Sequence, residues 1–442
     1  MLTLGLGFRA SKIKQEKLFK HLILIIASIL AFSIRLTSVI KYEPILHEID
    51  PYFQLRAAKY LDNSIRSERD LRDLHKNFYN FLNWFDEKAW YPLGRVVGGT
   101  VYPGLILTAV LFKNILSLLN LPISITTACI FLAPTFSVFT VLVTYYLTKE
   151  IADDAGAGLL AASLIAISPS LVSRSMAGSF DNEAIAIFCM LLTFYFWIRS
   201  VKTGKILYAV LTSLSYFYMS ASWGGHVFVI NLLPLHVLLN MMLNYFNRKL
   251  YVAYTTFYMF GVFLSMQVPF IGFQVIFKAD HFLSLIIFVF CQILAAKKSI
   301  RRYLFEDDLN YKRVKFLALG TFSTGLLLFF LFLRFSKNKN FKTLNFLNLE
   351  ARISALLFPS FRQKSPIFSS VAEHQPASWS VFYLDFQHLL ISFPVGIWWC
   401  FDRPSSYRTF LVVYGICGMY FGAVMVRLLR FEIFLLSLAK QS

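Results

Sequence analysis

Long apolar runs separated by short polar segments make up most of this chain. Each run approaches the roughly 20 residues that a helix needs to cross the hydrocarbon core of a bilayer. Charged residues gather between the runs and are rare inside them. The pattern predicts an all-α polytopic membrane protein, with about twelve candidate spans at 21–40, 101–118, 122–147, 156–172, 184–200, 206–222, 226–244, 251–277, 281–296, 316–334, 386–401 and 408–430.

The composition supports the same class. Hydrophobic residues are 57% of the chain and charged residues only 15%, which is more apolar surface than a soluble domain buries in its core. Lys and Arg number 43 against 24 Asp and Glu, for a formal charge of +19. Because the basic residues cluster in short segments between apolar runs, they follow the positive-inside rule, and we predict no nucleic-acid partner.

Basic patches predict which ends of the spans face the cytosol. They occupy the N-terminal residues 1–20, Arg199–Lys205, Arg248–Lys249 and Lys297–Arg302. Lys and Arg are enriched in cytosolic loops. We therefore expect these four segments, including the N-terminus, to be cytosolic.

The acidic residues then test the span count. If all twelve runs crossed the membrane, Asp50 and Asp181 would lie on opposite sides. Run 101–118 opens with Tyr102-Pro103-Gly104 and is the least cleanly bounded, so we take it as a re-entrant or peripheral helix. The transmembrane domain then spans residues 21–430 with about 11 crossings. Its non-cytosolic face carries loops at about 41–120, 173–183 and 335–385, of which the first and last are long, and the short C-terminal tail, 431–442.

Three acidic clusters lie at the edges of apolar runs. They are His47-Glu48-Ile49-Asp50, Asp181-Asn182-Glu183 and Glu373-His374. A carboxylate costs about 2.5–3.5 kcal/mol at the bilayer centre and less toward the interface, so acids beside a membrane usually have a function. If the three clusters converge on the shared face, they make a candidate metal site.

Each cluster has a second interpretation. Asp181 and Glu183, two residues apart, can both turn toward one divalent cation, or they can cap the helix predicted from Ala184. Asp50 precedes Pro51 and can likewise mark a helix start. Both interpretations remain open for these residues.

Two further candidates lie later in the chain. Glu373 stands in a loop beside His374, and we leave His374 out of the ligand set because a lone loop histidine is more often solvated. Arg427 lies near the non-cytosolic end of the last run. Its side chain either extends to the interface or binds a phosphate of a lipid-linked substrate through two hydrogen bonds.

Several segments together resemble a known family. They are HEIDPYFQLRAAKYL (47–61), NWFDEKAWYPLGRVVGGTVYPGL (83–105), SRSMAGSFDNEAIAIF (173–188), WGGHVFVINLLPLH (223–236), SVAEHQPASW (370–379), FPVG (393–396) and YGICGMYFGAVMVRL (414–428). In this order they are similar to the catalytic subunit of eukaryotic oligosaccharyltransferase. The resemblance covers nearly the whole chain and weakens at 245–350.

The resemblance implies a GT-C type glycosyltransferase of the endoplasmic reticulum membrane with a lumenal active site. Such an enzyme transfers a preassembled oligosaccharide from dolichyl pyrophosphate to asparagine in Asn-x-Ser/Thr of an acceptor polypeptide, together with other oligosaccharyltransferase subunits. By resemblance, Asp50, Asp181 and Glu183 surround Mn²⁺ or Mg²⁺, Glu373 contacts the acceptor amide, and Arg427 contacts the lipid pyrophosphate.

The chemistry of an amide explains why carboxylates are needed. Its nitrogen is a poor nucleophile because the lone pair is delocalised, and removing that conjugation in a peptide bond costs about 18–20 kcal/mol. Hydrogen bonds to charged groups contribute about 1.5–3 kcal/mol each, so Asp50 and Glu373 as catalytic residues can only partly polarise the amide. Positioning and a metal-assisted, Arg427-assisted leaving group must supply the rest.

Two departures from the family pattern bear on this expectation. The usual SVSEHQP reads SVAEHQP, with Ala372 in place of Ser, which leaves Glu373 intact. Family members also carry a lumenal domain with a WWDYG motif that reads the Ser/Thr hydroxyl of the acceptor, and we expect this 442-residue chain to lack it.

The sequence is also compatible with functions other than oligosaccharide transfer. The chain could be a non-catalytic paralogue or scaffold of the same complex, or another dolichyl-linked GT-C enzyme such as a mannosyl- or glucosyltransferase. The SVAEHQP loop argues against the second of these. A transporter is a third alternative. It would carry charges and helix breaks at the membrane midplane, whereas the acids of this chain lie at the ends of the apolar runs.

Overall fold

The described part of the chain folds into a helical bundle with a small hairpin. The computed structural model describes residues 2–67, 74–273, 275, 278–303, 370, 375–387, 389–402 and 405–425. Up to the middle of the chain the helices are α1 (Leu2–Arg35), α2 (Thr37–Tyr42), α3 (Asp50–Ser67), α4 (Leu74–Leu82), α5 (Pro103–Leu118), α6 (Ile125–Ala152), α7 (Ala155–Ile167), α8 (Pro169–Arg174) and α9 (Asn182–Thr203). The remaining helices are α10 (Ile206–Ser222), α11 (His226–Met242), α12 (Arg248–Ser265), α13 (Phe282–Tyr303), α14 (Trp379–Phe386), α15 (Leu389–Asp402) and α16 (Arg408–Val424).

Three helical stretches of the described chain are long and apolar enough to cross a membrane. They are Gln15–Tyr42, Ile125–Ala152 and Asn182–Thr203, and a fourth forms if the bent pair α14 and α15 is one span. Among the described residues, six shorter apolar helices accompany them, and α5, within the run taken as re-entrant or peripheral, is one of these. The all-α membrane class is thus confirmed, while the total of about 11 crossings stays a prediction. The run at 316–334 lies outside the described residues.

Proline divides one predicted span into two helices. The apolar run 156–172 forms α7 and α8, which meet at Ser168-Pro169. Proline lacks a backbone N–H and disfavours helical geometry in the residue before it, and Ser168 accordingly has ψ 122°. This break turns the chain into the loop that precedes Asp181.

Helix α9 forms the centre of the bundle. It packs against α6, α10 and α12. Trp197 and Phe194 are fully buried, and Phe194 meets the ring of Tyr414 edge-on with centroids 5.2 Å apart. The first turn of α9 carries Glu183, so the best-packed helix also presents the second acidic cluster.

The loop after α2 is an ordered subdomain rather than a disordered connection. Strands β1 (Phe85–Asp86) and β2 (Arg95–Val96) pair in an antiparallel hairpin. Arg56 of α3 forms an ion pair with the buried Asp86, N–O 2.6 Å. An ion pair buried on both sides joins Lys113 of α5 to Asp62 of α3. These contacts fix α3, which begins at Asp50, against α5 and the hairpin.

At the end of α9 away from Glu183, a polar cluster joins the last turn of α9 to the residue before α16. The ammonium group of Lys202 lies 2.7 Å from Asp153 and 4.3 Å from the centre of the Tyr407 ring. The Tyr407 hydroxyl donates to Asp153 at 3.1 Å. The pKa of Asp153 lies below its usual value, because burial, which raises it, is outweighed by the Lys202 and Tyr407 hydrogen bonds.

Candidate active site

The first acidic cluster leads directly into α3. Asp50 is the first residue of that helix, before Pro51, and its side chain is exposed. The helix-start interpretation of Asp50 therefore agrees with the fold. Exposure also leaves its carboxylate accessible to a ligand.

The second acidic cluster caps α9. Asp181 has extended backbone angles, φ −124° and ψ 159°, and its Oδ1 accepts a hydrogen bond from the Asn182 N–H at 2.6 Å. The helix-cap interpretation is correct for Asp181. Glu183 departs from ordinary capping, since its side chain is only 3% exposed, whereas acids in a first turn are usually solvated.

Backbone hydrogen bonds bring these two clusters together. The His47 N–H donates to the Gly178 carbonyl at 3.0 Å, and the Gly178 N–H donates to the Ile130 carbonyl at 3.1 Å. Gly178 has φ +94°, and a Cβ there would lie against the Ile45 carbonyl and 2.7 Å from the His47 ring. The approach of the two loops therefore depends on glycine at this position.

The buried residue Arg35 holds the loop around Gly178 in place. Arg35, at the end of α1, is 0% exposed, and its Nε donates to Ser175 Oγ at 2.5 Å while Nη1 donates to the Ala31 and Ala166 carbonyls. The backbone of Arg35 also accepts from the Ala177 N–H at 2.9 Å. Sequence reasoning missed this role, although a single Arg inside an apolar run was a signal for it.

A basic residue lies beside the first acidic cluster. The Arg174 guanidinium, at the end of α8, is 3.9 Å from the Glu48 carboxylate, with side chains 27% and 62% exposed. Arg174 belongs to a segment that resembles the family, but no role was predicted for it. Its positive charge partly offsets the negative charge of Glu48.

Glu373 and Arg427 lie outside the described residues, but their described neighbours meet. The Ala377 N–H donates to the Ala423 carbonyl at 3.3 Å. These residues stand four positions after Glu373 and four positions before Arg427. In addition, α14 contacts α8, which precedes Asp181. These contacts join residues 377 and 423 and connect α14 to α8, while the places of Glu373 and Arg427 stay predictions.

A buried polar network holds α16 in place. His236 is 0% exposed; Trp197 Nε1 donates to its Nδ1 at 3.2 Å, so Nε2 carries the proton and donates to the Ser406 carbonyl at 2.8 Å. Asn240 accepts from the Thr409 hydroxyl at 3.3 Å. The network joins α9, α11 and α16, and α16 leads toward Arg427.

The described residues do not assemble a complete metal site. Among them, no three Asp, Glu, His or Cys side chains are grouped so that they could hold a metal ion. Asp181 and Glu183 share one turn, while Asp50 follows the segment whose His47 bonds to Gly178. The ligand set predicted from the sequence thus stays a prediction.

The fold resembles that of solved membrane oligosaccharyltransferases. The structure matches the archaeal oligosaccharyltransferase AglB from Archaeoglobus fulgidus, solved in complex with an inhibitory peptide and a dolichol-phosphate, with TM-score 0.69 and 16% identity. The match covers 96% of this chain and 50% of that one. The chain therefore shares the fold of these membrane enzymes.

The family follows from the sequence comparison. The family model "Oligosaccharyl transferase STT3, N-terminal" matches residues 18–439, so the chain belongs to the STT3 oligosaccharyltransferase family. Two similar relatives are both subunits of dolichyl-diphosphooligosaccharide–protein glycosyltransferase. STT3 of Dictyostelium discoideum is 42% identical, over 94% of this chain and 55% of that protein, and stt-3 of Caenorhabditis elegans is 41% identical, over 95% and 53%. The chain spans about half the length of the curated relatives it matches.

Proposed function

We propose that this chain transfers a preassembled oligosaccharide from dolichyl pyrophosphate to the asparagine side chain of Asn-x-Ser/Thr in polypeptides. The family match over residues 18–439 is the observation that carries the proposal. The contacts that bring the acidic loops together at one end of the bundle support it, because transfer needs donor, acceptor and carboxylates in one place.

Asp50, Asp181 and Glu183 would hold a divalent cation, Mn²⁺ or Mg²⁺. Carboxylate oxygens suit both ions. Asp181 uses Oδ1 in capping α9 and has Oδ2 left for a ligand, and the burial of Glu183 places a second carboxylate where a cation would offset its charge. When bound, such an ion would neutralise negative charge that develops on the leaving pyrophosphate.

Two carboxylates would act on the acceptor. Asp50 and Glu373 accept hydrogen bonds from the side-chain amide N–H groups of asparagine and orient its nitrogen toward the sugar. Such bonds can only partly twist or polarise the amide, and the described Ala377–Ala423 contact lies four residues from Glu373 in the sequence. Arg427 would bind the pyrophosphate with its planar array of donors.

The same reasoning suggests an orientation and partners. We place the chain in the endoplasmic reticulum membrane with a cytosolic N-terminus and a lumenal acidic site, associated with other oligosaccharyltransferase subunits. Contact between residues 47 and 178 supports a shared side for the two acidic loops. The Lys202–Asp153–Tyr407 cluster supports grouping of the basic ends at the other side.

The function is tested by direct transfer. The protein is purified from its native membranes with whatever subunits accompany it, and is given a dolichyl-pyrophosphate oligosaccharide and a fluorescent peptide containing Asn-Ala-Thr. We expect a glycopeptide with Mn²⁺ or Mg²⁺ present, and none with a Gln-Ala-Thr peptide or after chelation. If the Asp181→Ala variant gave as much glycopeptide as the wild-type protein, the assignment of the site would be refuted.

A further inference from the structure

The hairpin exposes apolar side chains in its strands and in the turn between them. The aromatic tip consists of Trp90, Tyr91 and Leu93 in the connection between the strands, which are 71%, 83% and 80% exposed. Phe85 and Val96, which pair with each other in the strands, are also exposed. Unlike the exposed leucines of the long helices, they do not belong to an apolar span but lie in a polar loop. Large neighbouring aromatic side chains of this kind mark a surface that is covered in the working protein.

The aromatic tip is held on a rigid base. Trp84 stacks on Tyr60 of α3 with ring centroids 4.0 Å apart and an angle of 6° between the rings. Gly98 packs so closely on the end of α4 that a Cβ would lie against the Leu82 backbone. Since the base is already ordered, little conformational entropy remains to be lost when the tip binds something.

A cation lies beside the exposed rings. The guanidinium of Arg95 is 5.1 Å from the centre of the Trp90 ring and 5.6 Å from that of Phe53. Its Nε donates to Thr100 Oγ1 at 2.9 Å and its Nη2 approaches the Thr100 carbonyl at 3.4 Å. Within the described part of the chain, Nη1 is left with donors directed to no acceptor, so Arg95 can bind an anion without losing its own supports.

We propose that the aromatic tip docks into the headgroup region of the bilayer leaflet on its own side, with Arg95 binding a lipid phosphate. Trp and Tyr are the residues enriched where hydrocarbon meets water, and Arg pairs with phosphate through two parallel hydrogen bonds. Leu93, the most membrane-like side chain among the three most exposed, would reach the upper acyl chains. The charge of Arg95 favours a phospholipid over an uncharged partner.

Helix α5 supports a membrane rather than a protein as the occupant. It begins seven residues after Val96 and exposes Leu111, Ile115 and Leu118 at 53%, 55% and 83%. The same helix is fixed to α3 by the buried Lys113–Asp62 ion pair. The subdomain thus presents a second apolar surface, as a body resting on a bilayer would.

The test measures the surroundings of residue 93. A Leu93→Cys variant of the full chain, in the assembly in which it is purified, carries an environment-sensitive fluorophore and is placed in lipid nanodiscs. Cys400 and Cys417 are replaced by Ser because the other three cysteines are buried. Asn83→Cys, exposed at the end of α4, is the matched control. Leu93 is chosen because an exposed side chain can be replaced without unfolding the hairpin.

We expect lipids with a nitroxide near the headgroup to quench the label at residue 93 several-fold more strongly than the label at residue 83. Aqueous iodide should show the reverse order. Quenching of residue 93 by iodide as strong as that of residue 83 would overturn the proposal and leave the tip in water. Shielding from both quenchers would also overturn it, since that result means that a protein covers the tip.

Discussion

At the scale of single residues, the fold distinguishes acids that the sequence treats alike. Asp50, Asp181 and Glu183 all stand near a helix start. Asp50 is exposed and Asp181 caps α9, while Glu183 is 3% exposed. A buried carboxylate costs free energy unless its charge is balanced. Of these three acids, we therefore expect Glu183 to be the one whose loss of charge lowers activity most.

We predict that Glu183→Gln lowers the rate of oligosaccharide transfer by about 10²-fold or more, as loss of one electrostatic contact in an active site commonly does. The substitution keeps shape and removes only the negative charge. Initial rates with the peptide assay, at saturating Mn²⁺, measure the effect. Glu87→Gln, at an exposed carboxylate of the hairpin loop, should retain the wild-type rate. A Glu183→Gln enzyme with full activity would contradict a role for this charge.

Gly178 gives a test of backbone geometry. We predict that Gly178→Ala separates the loops at 43–49 and 175–180, because φ +94° and the nearby Ile45 carbonyl leave no room for Cβ. Strain of this kind costs about 1–3 kcal/mol. Transfer activity and thermal stability of the purified variant should both fall.

The control for that variant is another glycine. Gly99→Ala places Cβ 3.8 Å from the nearest side-chain atom, which is ordinary contact. It should leave both measurements unchanged. If Gly178→Ala and Gly99→Ala behaved alike, the proposed coupling between the two acidic loops would not hold.

At the scale of elements, the bundle positions the site through a few polar contacts in an apolar interior. His236 connects α9 to the chain before α16, and Asn240 accepts from Thr409 one turn further along. Apolar contacts hold helices near one another but specify their register weakly, whereas a directional hydrogen bond permits one register. The polar network therefore specifies the register of α16 against α9 and α11.

We predict that His236→Ala lowers the free energy of unfolding by about 2–4 kcal/mol, from the combined loss of buried volume and hydrogen bonds. Activity should fall too, because α16 loses its register. Thermal unfolding in detergent and the peptide assay measure the two effects. His21→Ala, at an exposed histidine of α1, should change neither. Wild-type stability of the His236 variant would show that apolar packing alone positions α16.

At the scale of the whole molecule, the protein has two chemically different ends. Acidic loops and the ordered α3–α5 subdomain lie at one end of the bundle, and the Lys202 cluster lies at the other. This division matches the distribution of Lys and Arg along the sequence, which follows the positive-inside rule. The sidedness of the membrane protein can therefore be tested at single positions.

We predict that a cysteine at Lys205 reacts with a membrane-impermeant maleimide in sealed microsomes, whereas a cysteine at Asn63 reacts only after the membrane is permeabilised. Both positions are exposed, in a background where Cys400 and Cys417 are replaced. Gel shift of the labelled chain gives the result. Labelling of Asn63→Cys in intact microsomes would invert the predicted orientation.

Local sequence patterns predicted part of the fold and part of the candidate site. The apolar runs predicted helices, since hydrophobicity and length are properties of a segment by itself. The prediction of helices from apolar runs was incomplete where a single residue interrupted a run. Pro169, for example, divides the run 156–172 into α7 and α8. The helix-cap interpretation of Asp181 was equally local. In contrast, Arg35 and Arg174 bond to residues far away in the chain, and no spacing rule relates them to their partners.

The sequence by itself determined the membrane class, the family resemblance and the residue types available for chemistry, because composition, periodicity and motifs are properties of the linear chain. Only the tertiary structure decided which acids are buried, which loops touch and what holds them. The 3.0 Å bond from His47 to Gly178 crosses 131 positions of sequence. Such contacts depend on how whole helices pack, and packing is a property of the assembled bundle rather than of any segment within it.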